Sequence, residues 1–304
     1  MGSPTRTIDG DLGAPTDDLR RYRHELQSTY RYLRLAIILL TLLLFTSVGL
    51  QIISDGWQVL GSVSAYYYTP ARAVFVASLC AIGTCMIVHR GRSDVEDVLL
   101  NFSGYLAFFV AFVPTAQTVA DTGEETVVVP DDFVAAVTNN TWSILAVGLV
   151  AFMIQILVVP QRERNTGSRG GRAALAASVV AYLGLACFFI FARQTFLDWG
   201  HGVAAIVLFL GIVGVVGING AALAKARAAD GATSRSPLLN RYTYGFLGMV
   251  VSAVLILVVI RPWLEQWLFV LEAALILQFL GFWITQTVER WKDPEPAQDA
   301  LLPG

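Results

Sequence analysis

Charge is what this sequence has least of. Charged residues make up 14% of its 304 positions, roughly half the share usual in soluble domains. A soluble chain of this length needs a large polar surface, and this composition cannot supply one. A cytosolic enzyme, a nucleic-acid-binding domain and a disordered protein are thereby excluded. Cysteine and histidine are scarce too, at three each. Cys80, Cys85 and Cys187 lie in apolar runs without CxxC spacing, so they read as packing residues rather than disulfide partners or ligands. His24, His89 and His201 fall on separate segments, so neither a metal nor a cofactor is expected. The patterns GxxxxGK[ST], HExxH and GxSxG are missing as well. Gly167-Ser168-Arg169-Gly170-Gly171-Arg172 is a basic, glycine-rich turn suited to anionic lipid, but it is no phosphate loop.

What the chain has is apolar length. Hydrophobic residues make up 55% of it and mean hydropathy is +0.60. A membrane-spanning helix needs about 20 mostly apolar residues. Eight such runs are present, at about 35–54, 72–89, 98–119, 134–159, 173–192, 200–223, 242–260 and 265–287. Their length and continuity fit helices and not the alternation of barrel strands. The predicted fold is therefore all-α, a polytopic transmembrane helix bundle of about eight spans in a cell inner membrane. Gly211, Gly214, Gly217 and Gly220 give the sixth span a small-residue face for close helix packing.

Arginine and lysine orient these spans. Eighteen of the 21 fall in the N-terminal segment, the even-numbered loops and the C-terminal tail, leaving Arg72, Arg193 and Arg261 on the other side. The positive-inside rule then places both termini in the cytoplasm, and an odd number of spans would spoil the alternation. Trp57, Trp199, Trp263 and Trp267 fall at predicted outer helix ends and Trp291 at an inner one, as an interfacial belt would have them. The polar start shows no cleavable signal peptide, so the first span reads as a signal anchor. Arg6 breaks the myristoylation pattern.

Composition predicts disorder over residues 1–15. Residues 16–34 carry Leu19, Tyr22, Leu26, Tyr30 and Leu33 at helical spacing with arginines between. That fits either an amphipathic juxtamembrane helix on the inner leaflet or a plain extension of the first span. Residues 289–304 form a cytosolic tail.

Only one of the 23 acids falls well inside a span: Glu272, about eight residues or roughly 12 Å from the outer end of the eighth. A carboxylate near the bilayer centre costs about 2.5–3.5 kcal/mol on the insertion scale, and it normally faces the bundle interior with a partner. Arg72, His201 and the hydroxyl-rich Ser62–Pro70 segment are its candidate partners. Together Tyr66, Tyr67, Arg72, His201 and Glu272 make up the predicted outward-facing polar pocket.

Ser64-Ala65-Tyr66-Tyr67-Tyr68-Thr69-Pro70-Ala71-Arg72-Ala73-Val74-Phe75-Val76, Gly83 and His89-Arg90-Gly91 resemble uncharacterised bacterial integral-membrane proteins of the DUF998 type. Those are distantly similar to the Frag1/DRAM/Sfk1 proteins. The likeness resumes at His201-Gly202-Val203-Ala204-Ala205, at Asn240–Gly248 and at Trp267–Glu272, and covers about half of the chain. Residues 120–195 stand outside it, as a two-helix insertion would. Relatives tend to carry an acid directly after the arginine, where this chain has Ala73. The resemblance implies that Tyr66, Tyr67, Arg72, His201 and Glu272 belong to family motifs, without assigning them a role.

The expected function is to bind or move a small or lipid-like molecule, with membrane lipids as partners, no nucleic acid and no covalent chemistry. The rivals are a membrane-embedded lipid hydrolase using His201 and Glu272 as acid–base groups, and a scaffold or sensor acting through its tails.

Overall fold

A computed structural model describes residues 17–121, 124–157, 167–229 and 236–292. The segment expected to be disordered, 1–15, lies outside the described residues, as does the end of the tail. Eight helices follow one another: α1 (Asp17–Ser54), α2 (Arg72–Val88), α3 (Asp94–Phe112), α4 (Asp131–Leu157), α5 (Arg169–Phe191), α6 (Arg193–Ala229), α7 (Arg241–Leu255, continued as a π-helical turn through Ile260) and α8 (Trp267–Lys292). A 3-10 turn (Ser64–Tyr68) sits between α1 and α2, and a two-stranded antiparallel hairpin, β1 (Gln117–Asp121) and β2 (Glu124–Val128), sits between α3 and α4.

Seven of these helices are long and apolar enough to cross a membrane. α2 has 17 residues, about 26 Å at 1.5 Å per residue, which is the short end of what a bilayer needs. Contacts show that it runs the full depth of the bundle. At its start Arg72 lies over the ring of Phe133, near the beginning of α4. Just past its end His89 packs edge-on against Tyr30 and Trp283. α1 and α8 are antiparallel neighbours, with Arg31 over Trp291 at one end and the Phe269 N–H donating to the Gly61 carbonyl at the other. The first and last helices thus have their terminal ends on one face, which an even number of crossings requires.

Helix ends follow local chemistry. Ser93, Ser168 and Asn240 cap α3, α5 and α7 by accepting backbone N–H groups of the first turn. The Asp94 carboxylate accepts the Ser168 N–H at 2.7 Å and so ties the start of α3 to the start of α5. The predicted third span overran its helix: α3 stops at Phe112, not at 119, because Pro114 forbids a helical Val113. The β-rich stretch beyond it pairs as the hairpin. Residues 17–34 continue α1 without a break.

Packing uses glycine where backbones meet. A Cβ on Gly83 would stand 2.6 Å from the Gly104 carbonyl oxygen, and one on Gly104 equally close to that of Gly83, so α2 and α3 cross with their backbones in contact. On α6, Gly211 and Gly214 face Ser103 and Leu99 of α3, while Gly217 and Gly220 face Phe246 and Thr243 of α7. The expected small-residue face therefore wedges α6 between two neighbours. Exposed Leu, Val and Ile side chains cover the outside of α4, α6 and α7, as a hydrocarbon solvent allows. Trp57, Trp199, Trp263 and Trp291 are exposed near helix ends. The three cysteines are free thiols.

Candidate functional site around Glu272

The site begins with the way α1 ends. Gly56 and Trp57 both adopt φ of 68°, a left-handed pair that reverses the chain. The following residues fold back into the bundle, and the 3-10 turn buries Ser64, Tyr66 and Tyr67. A helical turn leaves its first N–H groups without internal partners. Glu272 of α8, 9% exposed, supplies the acceptor. Its Oε2 takes the Ser64 N–H at 3.0 Å and its Oε1 takes the Ser64 hydroxyl at 3.1 Å. Among the described residues the carboxylate is thus held by the positive end of a short helix and by a hydroxyl, not by a cation.

Glu272 does face the interior, as its sequence position implies, but its expected partners lie elsewhere. The Tyr66 hydroxyl accepts the Leu60 N–H at 3.3 Å and closes the loop before the turn. Tyr67 makes edge-on contacts with Tyr68, Phe75 and Phe133. Arg72 lies over the faces of Tyr67 and Phe133, 4.7 and 4.9 Å from their centroids, a cation–π arrangement that occupies the guanidinium at the bundle's end. His201 is buried on α6 and directs Nδ1 at the Val113 carbonyl, 2.5 Å away. A carbonyl only accepts, so Nδ1 carries the proton. Its Nε2 has no hydrogen-bond partner among the described residues. His201 and Glu272 therefore share no bond, and the acid–base pair that a hydrolase would use is not assembled. Tyr68, outside the predicted set, donates to the Thr115 carbonyl at 2.9 Å. Burial pushes its phenol above the ordinary tyrosine value, so it remains a donor.

The predicted polar pocket is therefore divided. Tyr66, Tyr67 and Arg72 build the wall that carries the turn, His201 anchors α6 to the end of α3, and of the five only Glu272 lines the cavity beside the turn. That cavity, about 70 Å³, is lined by residues of α1, α2, α3, α6, α8 and the turn. Leu44, Phe75, Ile82, Met86, Leu208 and Phe279 line it, and the polar groups at its wall are Thr41, Ser64 and Glu272. Thr41 already donates to the Ile37 carbonyl. The pocket is consequently apolar with one carboxylate–hydroxyl end, where the sequence reading expected a polar one.

A second buried polar centre escaped that reading. Glu96, at the start of α3, accepts Asn219 of α6 at 2.8 Å and the Arg92 N–H at 2.9 Å, and Gln286 of α8 donates to Asn219 at 3.2 Å. Beside it Asp97 accepts the Gly91 N–H and pairs with Arg90. The signal was available in Ser93-x-x-Glu96, a capping-box spacing flanked by Arg90 and Arg92. Acids in a first helical turn otherwise read as solvated. No protein-family model matches the chain, and neither does any curated protein or solved structure.

Proposed function

We propose that the chain is a multi-pass membrane protein, with both termini cytoplasmic, that binds a small or lipid-like molecule inside its bundle. The supporting observation is the Ser64–Glu272 pair at the wall of an otherwise apolar cavity. Such a site selects a molecule with an apolar body and one hydrogen-bond donor, an amine or an alcohol, because both Glu272 oxygens stand there as acceptors. Two of the stretches that resemble DUF998 proteins, Ser64–Val76 and Trp267–Glu272, meet at this bond, which agrees with a shared ligand centre.

The test uses the purified chain in detergent and a series of linear four- to eight-carbon amines, alcohols and alkanes. Amines and alcohols should raise the thermal unfolding midpoint more than alkanes of equal length, and Ala205→Leu, which narrows the cavity, should remove the effect. Equal shifts for all three classes, or shifts that survive Ala205→Leu, would refute the reading.

A further inference from the structure

A larger opening lies away from this centre, among α3, α4 and α5. Facing stripes of α3 and α4 border it, closed on one side by Leu175 and Ser178 of α5, and its volume is about 580 Å³. Ligand pockets run at roughly 300–1,000 Å³. The two stripes are bridged toward the hairpin end, where the Asn140 amide donates to the Phe112 carbonyl at 3.1 Å and the Tyr105 hydroxyl to the Ile144 carbonyl at 3.2 Å. The groove's wall toward the basic end is made by Val98, Asn101, Phe102, Ala151 and Gln155.

Two observations indicate what fills it. Val147 lines the groove and is 67% exposed, and the outward side chains of α4, including Leu149, Val150 and Ile154, are exposed and apolar. In a bilayer this opening therefore faces hydrocarbon, and its occupant comes from the lipid phase. The second is Asn101, which lines the groove and whose carboxamide oxygen is closed off with no hydrogen-bond partner among the described residues; a turn of the side chain presents that oxygen to the groove. A buried acceptor without a donor is expensive, about 1–3 kcal/mol, so a ligand donor is the natural complement. Asn101 stands seven residues beyond Asp94, the first residue of α3, or about 10 Å deeper along the helix. With that end at the inner headgroups, as the proposed topology has it, this is the level at which a lipid's backbone gives way to its chains.

We propose that this groove binds a neutral lipid with a free hydroxyl on its backbone, of the diacylglycerol type, with one acyl chain along the α3–α4 stripes and the hydroxyl donated to the Asn101 oxygen. An ordinary diacyl phospholipid offers a chain but no backbone donor, and would occupy the groove more weakly. This site is independent of the Glu272 cavity, and either can fail without the other.

The experiment places the full chain in phosphatidylcholine vesicles with trace diacylglycerol or trace phosphatidylcholine, each carrying a diazirine near the end of one chain. After irradiation, adducts are mapped by mass spectrometry. Diacylglycerol adducts should concentrate on the groove residues of α3 and α4 and exceed those of phosphatidylcholine about fivefold, the factor that one net hydrogen bond supplies. Asn101→Leu should abolish that preference while phosphatidylcholine labelling persists. Ala151→Trp, which fills the groove, should suppress both, whereas Leu210→Trp on the exposed face of α6 should alter neither; unfolding midpoints of all three variants confirm that they fold. Adducts spread evenly over the lipid-facing surface, equal labelling by the two probes, or a preference that survives Asn101→Leu would overturn the proposal. So would a detergent-solubilised mass of two chains that Ala151→Trp reduces to one, since a second copy would then own the groove.

Discussion

Glu272 is tolerated in an apolar interior because it caps something. Its two oxygens satisfy the N–H and hydroxyl of Ser64, and the dipole of the 3-10 turn meets the charge. Replacing it with leucine would leave the Ser64 N–H buried without an acceptor, an expected loss of about 1–3 kcal/mol. Glu272→Gln keeps one oxygen for the N–H and offers an amide to the Ser64 hydroxyl, which can accept, so it should lose less. Ser64→Ala removes one bond and keeps the other, an expected loss of about 1 kcal/mol. Thermal unfolding in detergent should therefore rank Glu272→Leu as the most damaging of the three. If Glu272→Gln were as severe, the carboxylate would be meeting a cation, and the capping account would fail. At this scale the sequence reveals the acid but not its partner. Glu272 stands out as the lone acid deep in an apolar run. Ser64 lies 208 residues away, and a hydroxyl beside a free backbone N–H leaves no periodic mark. Arg72 and His201 looked nearer to the task because they carry charge or protons, yet aromatic faces and a helix-end carbonyl take them first.

Between elements, the crossing of α2 and α3 is the most constrained contact. Gly83→Ala would push a methyl into the Gly104 carbonyl, and because the neighbour is backbone rather than a flexible side chain, the helices must part. Overpacking of this kind costs about 1–3 kcal/mol. Gly202 on α6 has nothing within 4 Å of an added Cβ, so Gly202→Ala should be neutral or stabilising by up to about 1 kcal/mol through helix propensity. Paired unfolding measurements on the two variants should move in opposite directions or leave Gly202→Ala unchanged; a matching loss at both sites would mean that propensity and not the crossing governs. The helices themselves are legible from hydropathy, which hydrocarbon-facing side chains dominate. Their ends are less so. The run 98–119 is apolar throughout, yet the helix stops at Phe112, since a single proline decides what composition averages away. The α3–α4 hairpin is hidden for the same reason, its valines and threonines counting equally toward a span. Glu96 is hidden because one turn of helix separates a solvated acid from a buried one.

For the molecule as a whole, parity carries the argument. α2 falls short of the length expected of a span, and without it the chain would cross seven times and bring its ends to opposite faces. Arg31 over Trp291 shows those ends together, as eight crossings would require, and each of the eight runs of the sequence has its helix in the bundle. The excess of arginine and lysine falls on that same face, where Arg90, Arg92, Arg169, Arg172, Lys225 and Arg241 stand at helix ends and loops. The positive-inside rule favours the cytoplasmic side proposed for it. Sidedness is open to a direct check with a membrane-impermeant maleimide on whole cells, in a chain whose three cysteines are replaced by alanine. A single cysteine at Gln58, exposed in the loop after α1, should label from outside without permeabilisation. A single cysteine at Ser168, exposed before α5, should label only after the membrane is opened. Labelling of Ser168→Cys in intact cells, with Gln58→Cys protected, would invert the molecule. Asn101 would then lie beneath the outer leaflet, and the groove would draw its lipid from that side.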